Sequence, residues 1–508
     1  MSASEVSVRS VRAFVRSRGR ARSTVLDRYV TVFSLVMLAA VLGNPVAGML
    51  GGLAGAVDPT RMGAGMALIA LSLGGFLVAA RGAGPVWLPA ADASWLLLSP
   101  LNRQRLLGRT GRLLGTVAVV AGLVLGLAFL AVLGAPDQLV WRVLGALVLG
   151  VSVVVGGMAV AVLAQASQSW QFWLTFVMVA LLGLAVVAVS GQARTVLAIA
   201  AGAPLPAVTA AVSGAAVAAA VLLRQAWTSL DRIPARTLVA ASTRAGHLAS
   251  AATSLDPGAL TWIAEDNHWR ARTLTSRRWP SLPAPLALAW QDWRRLARRP
   301  GRMATMLATA GLPAVFAQAG ATSVALGAAV LLGGLAVATA STSGARRDRD
   351  NPALARLMGV GHRPALTARA ILPAVVSGVW AAVALTGVTL VTGGPGVWWL
   401  FGVAAAPALA AGALRMARRG PIDHSMPVID TPGGAIPTGV ATWAATGVDL
   451  AVLGCLPTAM ALQSGAGNPA SYLVAQAVAG VAVLAAFVWR SRPARTESTP
   501  PAEQPRTA

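Results

Sequence analysis

The chain has 508 residues, 56% of them hydrophobic and 11% charged, with a mean hydropathy of +0.67. Too little polar surface is left for a water-soluble domain of this length, so the composition defines a polytopic helical membrane protein. All 41 basic residues are arginine against 17 acidic ones, a net charge of +24; without lysine, no Walker A phosphate loop and no pyridoxal Schiff base can form.

Residues 1–29 form a basic amphipathic entry segment, with Val8, Val11 and Val15 against Arg9, Arg12 and Arg16. It runs without a cleavage site into the first apolar stretch and reads as an uncleaved signal-anchor. Apolar spans of about 20 residues follow near 30–50, 62–80, 115–134, 140–164, 172–190 and 204–223, then 303–320, 322–342, 366–391, 397–414, 439–462 and 470–489. The fold class is all-α, with about 12 transmembrane helices in two six-helix halves and both termini cytoplasmic. With that orientation only Arg61, Arg142 and Arg194 lie outside, leaving thirty-eight of forty-one arginines inside, as the positive-inside rule requires. The charge then faces anionic membrane lipid, and nucleic acid is not the expected partner.

The first half covers 30–223 and contains a cytoplasmic loop at 81–114. A cytoplasmic linker, 224–302, ends in an amphipathic helix over 286–299. There Leu286, Ala289, Trp290, Trp293, Leu296 and Ala297 share one face, and Arg294, Arg295, Arg298 and Arg299 take the other. Such a helix lies in the membrane interface, aromatic side down. The second half, 303–489, contains a matching loop at 343–365, and residues 490–508 read as a Pro-rich disordered tail. Arg-x-x-Leu-x-x-Arg occurs in both loops: Arg103, Leu106 and Arg109 in the first, Arg363, Leu366 and Arg369 in the second. The offset is 260, and Leu97 and Leu357 stand six residues upstream of the first arginine. The recurrence at one topological position points to an internal duplication.

Chemistry-bearing residues are sparse. The four histidines show no ligand spacing, and Cys455 stands alone, so no metal site and no catalytic residue is expected. Asp449, about ten residues into the eleventh span, is the one carboxylate clearly within a span. It is expected to face the bundle interior, in a substrate path or in helix packing. Prolines 313, 373, 407 and 457 are expected to kink or end their spans.

The six-span halves, the entry helices, and the loop Trp95-Leu-Leu-Leu-Ser-Pro-Leu-Asn-Arg103 after the second span resemble the ABC-2 type exporter permeases, as does the run Asp292-Trp293-Arg294 before Arg299-Pro300. The resemblance implies a permease subunit without its own ATPase site, driven by a separate cytoplasmic ABC ATPase, a dimer that carries the ATP. It also implies a plasma-membrane location; separately, spans poor in acidic residues and rich in Ala, Val, Leu and Gly point to an apolar or amphipathic substrate. Trp95, Leu97, Arg103, Arg105, Leu106 and Arg109, with Leu357, Arg363, Leu366 and Arg369, would form the two coupling elements. The chain departs from the pattern in fusing two halves and in carrying Gly359-Val360-Gly361 where the first loop has Ser99-Pro100-Leu101. A proton-coupled secondary transporter of major-facilitator layout and a non-transporting membrane scaffold are the alternative readings.

Overall fold

The computed structural model describes residues 59–88, 93, 103–134, 138–253, 280–351, 359–394, 396–420, 422–423, 425–431, 434–464 and 469–491. Outside them fall the entry segment 1–29, the first expected span, Trp95, Leu97, Leu357 and most of the tail. The chain is built from α-helices. In the first half these are α1 (Pro59–Ala83), α2 (Arg103–Leu133), α3 (Leu139–Ala166), α4 (Gln168–Val189), the short α5 (Arg194–Ala201) and α6 (Leu205–Ser229). A turn of 3-10 helix, Leu230–Arg232, leads into α7 (Ala235–Thr253).

The second half begins with α8 (Ala284–Ala297), α9 (Pro300–Thr309), α10 (Leu312–Gln318), α11 (Ser323–Ala340) and α12 (Ser343–Asp350). Then come α13 (His362–Thr392) and α14 (Trp399–Ala417). The chain closes with α15 (Thr438–Ala445), α16 (Val448–Gly454), α17 (Leu456–Ser464) and α18 (Ala470–Arg490). Among the described residues nine helices are long and apolar enough to cross a membrane: α1, α2, α3, α4, α6, α11, α13, α14 and α18. Their outward sides carry rows such as Val117, Val120 and Val124 on α2 and Phe172, Trp173 and Phe176 on α4. Rows of this kind are stable only against lipid. The protein is membrane-embedded.

Two expected spans are not single helices. The seventh is split into α9 and α10, where Pro313, in the first turn of α10, cannot donate to the ladder. The eleventh is split into α15, α16 and α17. Its first break is at Gly447, whose φ of 97° only glycine adopts freely and where a side chain would strike Met416 of α14. At the second break, near Pro457, a side chain from α18 splices the ladder. The Thr458 N–H donates to Gln476 Oε1 at 3.1 Å, and Gln476 Nε2 donates to the Gly454 carbonyl at 2.7 Å. Gln476, wholly buried, thereby bridges the i to i−4 pair that the break opens. Pro313 and Pro457 thus stand where helices end and begin, as expected, whereas Pro373 and Pro407 sit inside α13 and α14 and do not end them. A two-stranded antiparallel hairpin, β1 (Val428–Thr431) and β2 (Gly434–Pro437), with Ile429 opposite Ile436, is the one sheet among the described residues.

The two halves share a packing order. The pairs α1 with α2, α1 with α3, α2 with α3, and α3 with α6 recur as α11 with α13, α11 with α14, α13 with α14, and α14 with α18. On α2 and α13 the close crossings fall at equivalent residues. A side chain at Gly150 of α3 would collide with the backbone of α2 at Gly122 and Gly126, and one at Gly402 of α14 with the backbone of α13 at Ala382. Gly122 and Ala382 are 260 residues apart, the offset of the loop motif. Small residues let backbones approach where dispersion, not the hydrophobic effect, drives association. The halves meet where α1 packs on α10, and Arg61 lies against the Gly320 turn between α10 and α11.

Candidate functional site on the basic face

α2 and α13 are 31 residues each and start on one face of the molecule, called here the basic face. Arg61, Arg142 and Arg194 lie at the opposite one. Arg142 donates there to the carbonyls of Ala201 and Ala203 at 3.2 and 3.1 Å, satisfying the end of α5.

Around the start of α2, the turn Gly84–Leu88 is held by hydrogen bonds to its backbone. Gln165, near the end of α3, accepts from the Val86 N–H at 3.0 Å and donates to the Val86 carbonyl at 2.9 Å, much as a neighbouring strand would. Ser242 of α7 accepts from Leu88 N–H at 3.0 Å, and Thr110 of α2 donates to the Trp87 carbonyl at 3.0 Å. Asp231 accepts the Gln104 N–H at 3.1 Å, an anion placed at the N-terminus of α2. Beneath lies an apolar cluster in which Leu107, Ile233 and Leu238 are wholly buried with Val86, Leu88, Ala93 and Leu163. Each such large side chain contributes about 1.5–3 kcal/mol on burial. Arg103, Arg105 and Arg109 occupy the first two turns of α2, and Leu106 in the same stretch is half-buried.

Around the start of α13 the corresponding joint is ionic. Arg369, only 3% exposed, donates from Nε and Nη2 to the two carboxylate oxygens of Asp348 on α12 at 2.8 and 3.0 Å. Its Nη1 donates to Asp292 Oδ1 on α8 at 2.7 Å and to the Leu288 carbonyl at 3.3 Å, and Nη2 reaches Gln291 Oε1 at 3.4 Å. All five N–H groups of the guanidinium are thereby engaged. Burial pushes the Asp292 carboxyl above its ordinary value, and the neighbouring Arg369 charge opposes that shift. Gly344 of α12 leaves the room: a methyl there would touch Asp292 Oδ1 and Arg369 Nη1. The sequence placed Arg369 with Arg363 as an outward charge flanking a docking helix. In the structure it is buried, with α8 and α12 closed over it. Leu366 is buried beside it, and Arg363 stays exposed.

Helix α8 uses two sides. Leu288, Asp292 and Leu296, four residues apart, face the protein, a stripe that sequence reading missed although its spacing was visible. Trp290 and Trp293 are exposed on the other side, as an interfacial helix requires. Arg294, Arg295 and Arg299 are partly covered and Arg298 is exposed.

Asp449 does not face the bundle interior as expected. Its Oδ1 accepts the N–H groups of Gly447 and Leu450 at 2.8 Å each, capping the broken span, and its Oδ2 pairs with Arg415 Nη1 at 2.8 Å. Arg415 is two residues from the end of α14, so the pair sits near the basic face, its side chains 39% and 45% exposed. Cys455 is wholly buried. Among the described residues no three His, Cys, Asp or Glu side chains gather to hold a metal.

Comparison with curated proteins and with solved structures found no match. Residues 57–427 match the model of a family of unknown function, DUF6297, running from the start of α1 to just before the hairpin. Since that is well over half of the chain and holds both joints of the basic face, the protein belongs to the DUF6297 family.

Proposed function

We propose that the chain is the membrane permease subunit of an ATP-driven exporter, resembling the ABC-2 type, that works with a separate cytoplasmic ATPase dimer on an apolar or amphipathic substrate. In this reading it crosses the plasma membrane twelve times, the basic face and both termini are cytoplasmic, and the split seventh and eleventh spans each count as one crossing. The observation that carries the reading is the pair of 31-residue helices α2 and α13. Both start within the same motif, and both cross the next helix at the equivalent residue, Gly122 or Ala382. A dimeric motor needs two levers, and a long helix anchored on one face and tightly crossed in the membrane transmits a push as a rigid body.

The two levers would be loaded differently. The first loop offers Arg103, Arg105, Leu106 and Arg109, with Trp95 and Leu97 upstream, as the docking segment. In the second half Arg363 remains outward, while Arg369 passes motion of α13 to the interfacial helix α8 through Asp292. The test is affinity purification of the tagged protein from native membranes in mild detergent. A P-loop ATPase should accompany the wild type, and reversing Arg103 and Arg109 to Glu should abolish its recovery while membrane insertion persists. Recovery unchanged by the reversal would refute docking at this loop. Purification without any ATPase would favour the secondary transporter or the scaffold.

A further inference from the structure

Four elements of the second half converge at one corner of the basic face: the ends of α12, α14 and α18 and the start of α13. The floor of this corner is apolar, with Ala345, Ala370 and Leu414 buried and Leu484 and Phe487 packed against them. Its rim is cationic. Arg418 Nη1 lies 3.4 Å from His362 Nε2. The adjacent Arg363 holds its guanidinium 4.4 Å from the ring centroid of Trp489 and donates to the Trp489 carbonyl at 3.3 Å. Arg490 ends α18 beside it. Burial, and then the charge of Arg349, push the Arg418 guanidinium below its ordinary pKa, while Asp348 acts against them. Guanidinium groups brought together from separate elements repel one another, and an anion seated among them relieves the cost.

The chemistry around the rim says which anion. Trp489 is 71% exposed at the end of a membrane-spanning helix, where aromatic rings mark the headgroup level. Below it, Val474, Val478 and Val481 form an exposed apolar stripe along α18. A phosphate in free solution would use the rim alone; a phospholipid would use rim and stripe together. We propose that this corner is a binding site for an anionic phospholipid, its phosphate held by Arg363, Arg418 and His362 and an acyl chain laid along Val481 and Val478. The assignment stands whether or not an ATPase docks on this face.

The experiment is thermal unfolding of the full chain in mild detergent, titrated with dioctanoyl phosphatidylglycerol, with dioctanoyl phosphatidylcholine and with inorganic phosphate. Phosphatidylglycerol should raise the midpoint saturably, and the other two should not. Arg363→Gln and Arg418→Gln should each weaken its apparent affinity about fivefold, whereas Arg298→Gln on α8 should leave it unchanged. Arg363 is exposed, so its variant reports even where loss of the more buried Arg418 disturbs folding. Equal stabilisation by phosphatidylcholine, or full affinity in the Arg363 variant, would overturn the site. A matching response to inorganic phosphate would overturn the lipid as its ligand.

Discussion

At the start of α2 the basic face is fastened by apolar packing and by backbone hydrogen bonds from Gln165, Ser242 and Thr110, whereas at the start of α13 it is fastened by the charge of Arg369. The helices these joints hold are equal in length and cross their neighbours at equivalent residues. A shared packing path through the membrane therefore does not require shared chemistry at its ends. Backbone proximity at a crossing depends on residue size along the helix. A joint needs only that its own polar groups be satisfied, and that has many solutions. The two solutions also behave differently under load. An apolar cluster yields gradually, while a guanidinium with all five donors placed has few alternative arrangements.

The largest expected effect lies in the ionic joint. Arg369→Met removes five hydrogen bonds and leaves the buried Asp292 with the more distant Arg295, at 3.9 Å, in place of its close partner, a loss of about 3–5 kcal/mol, read as a lower midpoint of unfolding in detergent. The loss should depend on pH. Burial already raises the Asp292 carboxyl, and without Arg369 to oppose it the folded-state pKa rises further. A carboxyl raised on folding favours the folded state at low pH and loses that contribution as pH rises through its folded value. The penalty of the variant should thus be smaller at acid than at neutral pH. Adding Asp292→Leu should recover part of the loss at neutral pH, since a buried pair is often replaced by apolar groups without cost. A loss under about 1 kcal/mol would mean that the joint is solvated in the membrane and the contrast with α2 is one of appearance only.

In the first half the corresponding change is smaller. Gln165→Leu keeps the apolar cluster and strips both hydrogen bonds from Val86, which should cost about 1–3 kcal/mol in the same measurement, with no dependence on pH. Should it cost more than Arg369→Met, the hydrogen-bonded clamp and not the apolar cluster would be the main fastening of α2.

How much of this was legible in the sequence follows the range of the interaction. The nine long helices were visible because 18 or more apolar residues in a row admit few other readings. The breaks were legible only in part: Pro313 and Pro457 flagged two of them, and nothing flagged the one at Gly447. Hydropathy is blind to a change of backbone direction, and proline does not decide it, since Pro313 and Pro457 stand at breaks while Pro373 and Pro407 do not. The outward side of α8 could be read from Trp290 and Trp293. Its inward role could not, because Asp292 and Arg369 are 77 residues apart and nothing local marks them as partners. Gln165 and Gln476 were passed over, although a lone amide in an apolar span is itself a signal that backbone groups elsewhere need a partner. The hairpin was missed too, despite Val-Ile and Ala-Ile pairs flanking Thr431-Pro432-Gly433-Gly434.

The smallest expected effect is at Asp449, and it turns on the second contrast between the halves: α4 is one helix of 22 residues, while the span at the corresponding place in the second half is broken twice. Asp449→Asn retains an oxygen to accept the Gly447 and Leu450 N–H groups, so the first break should persist. What is lost is the pair with Arg415, and an ion pair this open contributes about 0–1 kcal/mol. Asp449→Ala removes the cap as well and should cost about 1 kcal/mol more. If the Asn variant folds as stably as the wild type yet abolishes transport in reconstituted vesicles, the Arg415 pair belongs to the transport cycle and the break beside it is a working hinge. If transport persists, the carboxylate serves only to end one helix and begin the next. The asymmetry between α4 and the broken span would then be a matter of packing against α14, where the backbones at Gly412 and Gly447 lie too close for any side chain.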